Sequence, residues 1–312
     1  MTYNVLGMQA DSAVVDEHAG WAARIDQLRP DVLVVQEVQS DDVSALRDRP
    51  MTDYVLAAYR PWQCDLKPSP EGVAILVHSE LSFVGGGGTH LGTSCSDPTM
   101  RRVLVWADLE VGGATWRIYG THLTAGDGPA AASRLAQIRE LRATVAAHDP
   151  AGEGRWLVTG DLNVTPDGAD YSAALEGSPG ELAPGRLVDT AAEGTPASDP
   201  VACPGYAEDH AAGMALLLAE PQRARDCAYT GGWPKDGNWL ACDLLSFCVS
   251  WEQRRDLSVR IRIDYVLRAE EGPAEVLATH VPNRADADWA SPGAEWFRLS
   301  DHLPYVVDLT LG

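Results

Sequence analysis

Polar side chains that suit metal binding or proton transfer recur at the ends of apolar stretches along this chain. They are Asn4, Glu37, His122, Asp161, Asn163, Asp264, Asp301 and His302. Strand ends in α/β architectures converge on one edge of a sheet, where ligand sites tend to form. We therefore expect these residues, although far apart in the sequence, to share one pocket.

The residue types match what hydrolysis of a phosphate ester requires. A phosphodiester repels an incoming hydroxide, so the reaction needs a cation on the phosphoryl oxygens, a base for water and donors for the developing charge. Glu37 and Asp301 offer carboxylate oxygens and Asn4 a carbonyl oxygen, a mixture that suits Mg²⁺ or Mn²⁺. His302 can take the proton from water if a carboxylate such as Asp264 orients its ring.

Three candidates remain for the phosphate and the nucleophile, namely His122, Asp161 and Asn163. Each fragment alone has an ordinary structural explanation: Gly-Asp-Leu-Asn is a turn-like tetrapeptide, and an Asp-His pair commonly lies in a solvated loop. Their joint occurrence on predicted strand ends favours a single catalytic site over separate structural roles.

Apolar patterns predict the elements that would position these residues. Residues 31–37 and 73–77 are typical of buried strands, and the alternation over 103–109, followed by Gly112-Gly113 and 115–119, predicts a hairpin. Helical spacing is seen for Trp21, Ile25 and Leu28, and for Leu135, Ile138, Leu141 and Val145. Further strands are predicted at 156–159, 259–267 and 305–311.

Residues 176–258 form a long stretch in which regular periodicity disappears. It is rich in Gly, Pro, Ser and Ala at its start and holds four of the six cysteines together with Trp233, Trp239 and Trp251. A stretch of this length without clear elements is usually functional or mobile. We predict one domain spanning residues 1–312 with a loop-rich insertion at 176–258.

The six cysteines bear on the cellular compartment. None forms a CxxC pair or lies beside histidines at zinc-finger spacing, which argues against a zinc site. Of the 15 connectivities that six cysteines permit, we favour the sequence-local pairs Cys64–Cys95, Cys203–Cys227 and Cys242–Cys248, and therefore a secreted protein. The alternative is that some of these cysteines are buried thiols.

The charge balance restricts the partners of the chain. It contains 24 basic and 45 acidic residues, a net charge of −21, which repels polyanions unless a basic patch or a bound cation intervenes. Arg254, Arg255, Arg260 and Arg262 form the densest basic stretch. No apolar stretch is long enough to cross a bilayer, so we predict no transmembrane segment. We expect a monomer that acts on a phosphodiester substrate.

Six short boxes in a fixed order give the chain a family resemblance. They are Tyr3-Asn4-Val5, Gln36-Glu37-Val38, Gly120-Thr121-His122-Leu123, Gly160-Asp161-Leu162-Asn163, Ile263-Asp264-Tyr265 and Ser300-Asp301-His302-Leu303-Pro304. Over nearly its whole length the chain resembles the endonuclease/exonuclease/phosphatase superfamily. That resemblance implies an α/β (α+β) fold, a four-layer sandwich of two packed mixed β-sheets flanked by helices.

The resemblance also implies roles for the boxed residues. Glu37 would be the principal Mg²⁺ ligand, with Asn4 and Asp301 near the metal. His302, paired with Asp264, would be the base for the attacking water. Asp161 and Asn163 would position water and phosphate, and His122 would donate to a phosphate oxygen or to the leaving group.

Two departures from the family pattern narrow the function. Leu6 stands where several nucleases of the family carry an acid, which argues against a second metal ion there. The segment Arg155-Trp156-Leu157-Val158-Thr159 does not reproduce the tryptophan-containing box of the inositol phosphatases, which disfavours a phosphoinositide phosphatase.

Two enzymatic functions and one non-enzymatic function remain. The first is a nuclease, which we rank ahead. The second is a phospholipase C-type enzyme acting on a lipid headgroup, because Glu71-Gly-Val-Ala-Ile-Leu and Gly120-Thr-His-Leu-Thr-Ala-Gly-Asp127 resemble bacterial sphingomyelinase segments. The third is a catalytically inactive binding protein on the same fold, which would predict erosion of the polar boxes; all of them are intact.

Overall fold

The structure, a computed structural model, describes twelve separate parts of the chain. These are residues 1–5, 25–26, 28–39, 42–43, 53–62, 70–92, 101–126, 128–165, 168–177, 185–193, 263–280 and 305–312. Two mixed β-sheets form the centre of the molecule, and helices cover the outer face of the second sheet. The predicted fold class is confirmed.

The first sheet has four strands in the order β1-β2-β4-β3. Their bounds are β1 (Thr2–Asn4), β2 (Val32–Gln39), β3 (Tyr54–Pro61) and β4 (Glu71–His78). β1 and β2 run parallel, and the other neighbours are antiparallel. β4 is buried along its whole length because it is an inner strand, as its apolar run predicts.

The second sheet has six strands in the order β5-β6-β7-β8-β10-β9. They are β5 (Ser82–Leu91), β6 (Arg102–Val111), β7 (Ala114–His122), β8 (Trp156–Asp161), β9 (Leu187–Asp189) and β10 (Asp264–Ala269). β7 and β8 are parallel and the remaining pairs are antiparallel. The predicted hairpin is confirmed: Gly112 and Gly113, both with positive φ, join β6 to β7 in a tight two-residue turn.

A further antiparallel pair and three helices complete the described elements. β11 (Ala274–His280) pairs with β12 (Val306–Leu311), and an antiparallel bridge between Thr2 and Tyr305 joins the residue before β12 to β1. The helices are α1 (Pro129–His148), α2 (Ala169–Glu176) and α3 (Thr190–Glu193). None of these helices is both long and apolar enough to cross a membrane.

Two apolar clusters hold these layers together. Val103, Val105, Ala107 and Leu109 project from alternate positions of β6 into the space between the sheets, where they meet Val34 and Ile75. On the other face of the second sheet, Ile138, Leu141 and Val145 of α1 pack on Tyr119, Val158 and Tyr265. The period of two in β6 and the helical spacing in α1 therefore predict the buried faces correctly.

In two segments the structure differs from the secondary structure that the sequence predicts. A strand is predicted at 259–267, and the described strand is β10 (Asp264–Ala269), in which Tyr265, Val266 and Leu267 are all buried. It is an inner strand between β8 and β9, which makes both faces part of the core. Within the predicted irregular stretch 176–258, residues 187–193 form β9 and α3; the rest of that stretch after residue 193 lies outside the described residues.

The edge strand β5 forms even though four consecutive glycines occupy Gly85–Gly88. A Cβ atom at Gly87 would lie 2.6 Å from the indole ring of Trp106, and one at Gly86 would lie 2.7 Å from the carbonyl oxygen of Ala57 in β3. Glycine is needed here because the backbone of β5 packs directly against a ring and a neighbouring strand.

Candidate active site

One rim of the two sheets collects the side chains that the sequence singles out. β1, β7 and β8 end there with Asn4, His122 and Asp161, and β10 begins there with Asp264. His122 and Asp161 are register partners in the parallel pair β7–β8, and Asp161 and Asp264 are register partners in β8–β10. The topology thus brings distant parts of the chain to one edge, as predicted.

Asn4 connects the two sheets at this rim. Its side-chain amide nitrogen donates to Glu37 Oε1 at 2.9 Å and to Asp161 Oδ2 at 3.0 Å. His122 Nδ1 lies 3.8 Å from the same Glu37 oxygen, and His122 Nε2 lies 3.5 Å from the same Asp161 oxygen. An amide, two carboxylates and an imidazole therefore form one contact group.

Glu37 has an unusual backbone conformation for an acidic residue within a strand. Its φ angle is 58°, in the left-handed region, and the β2–β4 register shifts between Gln36 and Val38. The shift marks a β-bulge, which places an extra residue in one strand and redirects its side chain. Such conformations cost free energy and concentrate at functional sites. At Glu37 the bulge directs the carboxylate toward Asn4 and His122.

Asn163 has the second left-handed backbone at the site, with φ of 52°. Its backbone N–H donates to Asp161 Oδ1 at 2.9 Å, and its side-chain amide donates to the Leu123 carbonyl at 3.0 Å. The Leu123 N–H in turn donates to the Asp161 carbonyl at 2.9 Å. The Gly-Asp-Leu-Asn turn and the residue after His122 are therefore held in one fixed arrangement.

Two buried carboxylates face each other at the start of β10. Asp161 is 1% exposed and Asp264 is fully buried, and opposite positions of an antiparallel pair place side chains on the same face of the sheet. Like charges at opposite positions of a strand pair repel each other in a poorly hydrated environment. A nearby cation would offset that repulsion.

The donor chemistry of the rim fits a divalent cation of the Mg²⁺ class. Glu37 and Asn4 supply hard oxygen donors, and Mg²⁺ commonly takes only one or two protein carboxylates and keeps several waters. Among the described residues, no group of three or more His, Cys, Asp and Glu side chains has the arrangement of a complete metal site. The described donors alone would therefore leave most coordination positions to water or substrate.

Trp62 and Arg102 lie beside the site although the sequence did not single them out. The Trp62 and His122 rings meet edge to face with centroids 5.3 Å apart, and the Arg102 guanidinium carbon lies 4.1 Å from the centroid of the Trp62 ring. A cation over an indole face is a favourable contact. The sequence feature that could have indicated Arg102 is the basic pair Arg101-Arg102 at the start of the alternating strand β6.

Helix α1 fixes the loop that follows His122. Gln137 accepts a hydrogen bond from the Thr124 N–H at 3.0 Å and donates to the Thr124 hydroxyl at 2.9 Å. Arg134, buried on the same helix, donates to the carbonyls of Thr124 and Gly126 and pairs with Asp170 of α2. The position of His122 therefore depends on two polar side chains in the helix layer.

Several predicted features lie outside the described residues. They are Asp301 and His302, all six cysteines and therefore the three proposed pairs, the Arg254 to Arg262 stretch, and Trp21, Trp233, Trp239 and Trp251. The chain becomes described again at Tyr305, which exchanges two backbone hydrogen bonds of 2.9 Å with Thr2. Thr2 lies two residues before Asn4.

Solved structures share this fold over nearly the whole chain. The human Nocturnin catalytic domain with bound sulfate has a TM-score of 0.61 at 18% identity, covering 99% of this chain and 92% of that one. A D. rerio TDP2 complexed with a single-strand DNA product has a TM-score of 0.61 at 16% identity, covering 99% of this chain and 97% of that one. A Bacteroides thetaiotaomicron mannosyl-6-phosphatase has a TM-score of 0.61 at 15% identity, covering 99% of this chain and 98% of that one.

Two packed mixed sheets with acid, amide and imidazole groups at one rim define a class of phosphoester hydrolases. The chain belongs to the endonuclease/exonuclease/phosphatase family, whose sequence profile matches residues 1–302. The predicted family is confirmed. A search of curated protein sequences finds no match to the chain.

Proposed function

We propose that this chain is a divalent-cation-dependent phosphodiesterase that cuts nucleic acid. The supporting observation is the contact group at the rim, in which Asn4 bonds both Glu37 and Asp161 and His122 lies within 3.8 Å of Glu37. This group brings hard oxygen donors and an imidazole into contact at one rim of the sheets. Those are the components that metal-assisted hydrolysis of a phosphate ester requires.

Glu37 and Asn4 are the described residues that would hold the cation, Mg²⁺ or Mn²⁺, and Asp301 is proposed as a third contributor. When bound, the cation would supply positive charge to the phosphoryl oxygens and so reduce their repulsion of the nucleophile. The hydrogen bond from Asn4 fixes the Glu37 carboxylate before substrate arrives. A preorganised ligand needs little rearrangement during the reaction.

Asp161 and Asn163 are proposed to orient the attacking water, and His302 to accept its proton. The Asp161 carboxylate is fixed by bonds from Asn4 and from the Asn163 backbone, which suits an orienting role. Tyr305, three residues after His302, is held against β1, which supports placing His302 near this rim. Asp264 would then orient the imidazole and stabilise its charged form.

His122 is proposed to donate a hydrogen bond to a phosphoryl oxygen or to the leaving oxygen. Its ring is buried, and the edge-to-face contact with Trp62 fixes its orientation. In the complete step, water attacks phosphorus, His302 takes the water proton and then releases it to solvent, the ester P–O bond breaks, and the leaving oxygen takes a proton from solvent water. The substrate assignment is supported by the single-strand DNA product in the TDP2 relative.

Four substrates distinguish this function from its alternatives: bis(p-nitrophenyl) phosphate, p-nitrophenyl phosphate, plasmid DNA and sphingomyelin. We expect cleavage of the diester and of DNA with Mg²⁺ or Mn²⁺, loss of both in EDTA, and a loss of at least about 1,000-fold in Glu37→Ala. The control Glu275→Ala removes an exposed carboxylate of β11 and should keep full activity. Cleavage of sphingomyelin alone, or of the monoester alone, would replace the nuclease assignment.

A further inference from the structure

A basic cluster joins the edges of the two sheets a short way from the proposed active site. Arg60 of β3 donates through Nε and Nη2 to His90 Nδ1 of β5, at 3.3 Å and 3.2 Å, and through Nη1 to the Gly88 carbonyl at 2.9 Å. Glycine at position 88 makes this possible, because a Cβ there would lie 3.2 Å from the Arg60 side chain. The guanidinium is therefore held in one orientation.

Arg60 differs from five other described arginines, each of which is paired with a carboxylate: Arg117 with Asp108, Arg134 with Asp170, Arg155 with Glu153, Arg186 with Glu270, and Arg268 with Glu193. Arg60 bonds only an imidazole and a carbonyl and has no acidic partner within the described residues. Its positive charge is thus available to an anion from outside the chain.

His90 holds the Arg60 guanidinium in place through one ring nitrogen, and its own ring N–H is hydrogen-bonded to the Pro61 backbone. Because its Nδ1 accepts from Arg60, the ring proton of the neutral form resides on Nε2. Burial, followed by the charges of Arg60 and Arg101, holds the pKa of His90 below its ordinary value. Arg101 is held near this strand by a hydrogen bond of 2.7 Å from its Nε to the Gly92 carbonyl, two residues after His90.

The cluster lies on the same rim as His122. Arg60 is two residues before Trp62, whose ring contacts both His122 and the Arg102 guanidinium. β3 and β5 end at this rim, and β6 begins there with Arg102. The positive charges of Arg60 and Arg102 thus lie between the edge strands and the His122 ring. The net charge of the whole chain, in contrast, is −21.

We propose that Arg60, positioned by His90 and accompanied by Arg101, forms a second phosphate-binding subsite, which holds a phosphate of the substrate other than the one attacked. The inference rests on the proposed function and narrows it to a substrate that carries several phosphates along a strand, a nucleic acid. An acidic protein attracts a polyanion only where positive charge is concentrated. A phosphocholine headgroup, with one phosphate and its own cation, has no second anion for this subsite.

Two substrates that differ in phosphate number test the subsite. They are the p-nitrophenyl ester of thymidine 5′-monophosphate, with one phosphate, and a single-stranded thymidine dodecamer. In Arg60→Gln we expect kcat/KM to fall about 10-fold on the dodecamer, mainly through KM, and to change less than about 2-fold on the ester. Arg186→Gln, which removes a surface arginine already paired with Glu270, should change neither.

Binding without turnover provides the second readout. Fluorescence anisotropy of a labelled dodecamer in EDTA should show weaker binding to Arg60→Gln than to the unaltered protein, with the slope of log K against log salt shallower by about 0.7. Equal losses on both substrates, or unchanged dodecamer binding, would overturn the subsite. If the unaltered protein cleaves neither substrate, the proposed function fails, while the binding comparison still decides the subsite.

Discussion

Asp161 and Asp264 lie opposite each other in the antiparallel strands β8 and β10, and both side chains are buried. Two facing carboxylates destabilise the folded state unless a positive charge is near, because their repulsion is weakly screened in the interior. A third carboxylate, that of Glu37, lies nearby, because Asn4 donates hydrogen bonds to both Glu37 and Asp161. The rim is therefore expected to gain stability from a bound cation.

Divalent cations should raise the melting temperature of the protein. Stabilisation by a ligand at one hundred times its Kd is about 2.7 kcal/mol, or roughly 5–10 °C for a domain of this size. Scanning calorimetry in EDTA and in Mg²⁺ or Mn²⁺ measures it. Glu37→Gln should lose most of the shift, and Glu275→Gln, which alters an exposed carboxylate of β11, should retain it. An undiminished shift in Glu37→Gln would place the cation elsewhere.

At position 37, glycine should give a more stable protein than alanine, the reverse of the usual order in a strand. Its φ of 58° is costly for any residue with a Cβ, so Glu37→Gly should be more stable than Glu37→Ala by about 1 kcal/mol. Urea unfolding of both variants in EDTA measures the difference. At Glu275, which has no positive φ, alanine should be the more stable by about 0.5–1 kcal/mol. The same order at both positions would show that Glu37 carries no strain.

The sequence predicts most of the rim because strand ends and side-chain chemistry coincide there. Asn4, His122, Asp161 and Asp264 follow or begin apolar runs, and a period of two or a buried run identifies those strands without tertiary information. What the runs cannot show is the bulge at Glu37, since a register shift depends on pairing with β4. The roles of these residues remain predictions that the proposed experiments address.

Other features depend on contacts that local sequence does not encode. Four consecutive glycines are typical of a loop, yet Gly85–Gly88 lie in β5 because Trp106 and β3 pack directly on its backbone. Trp62 and Arg102 are ordinary residues in their own segments and become site neighbours only when β3 and β6 are placed beside His122. Long-range packing of this kind overrides local propensity.

Gly160 should be among the positions least tolerant of alanine. Its φ is 140°, and a Cβ there would lie 2.0 Å from the Thr121 carbonyl oxygen, so β7 and β8 would have to separate next to Asp161. We expect Gly160→Ala to lose more than about 3 kcal/mol of unfolding free energy. Gly112→Ala also has a positive φ but meets no atom within 4 Å, and it should lose only about 1 kcal/mol. Similar losses in denaturant titrations would exclude the steric explanation.

Replacing Gln137, which lies in helix α1, should lower the activity of the protein. Gln137→Met keeps the volume of the side chain but leaves the Thr124 N–H and hydroxyl without their partners, at a cost of about 1–3 kcal/mol. Because this loop follows His122, kcat should fall about 10-fold while the circular dichroism spectrum stays unchanged. Gln137→Glu retains the acceptor for the Thr124 N–H and should be less impaired. Full activity in the methionine variant would show that the loop does not depend on this bond.

His90 should make the stability of the protein depend on pH. Burial and the charges of Arg60 and Arg101 place its folded-state pKa below the ordinary value of 6.5, so the unfolded chain binds the proton first. The contribution of His90 to stability is therefore fully present above about pH 6.5 and is lost as the pH falls through that value toward the lower folded-state pKa.

His90→Gln keeps an acceptor for Arg60 but cannot titrate, so the unfolding free energy of this variant should decrease less between pH 7.5 and pH 5. Urea titrations across this range measure both curves, and parallel curves would show that the pKa of His90 is not lowered in the folded protein. His148, whose pKa is also lowered by burial, is present in both proteins and cancels in the comparison.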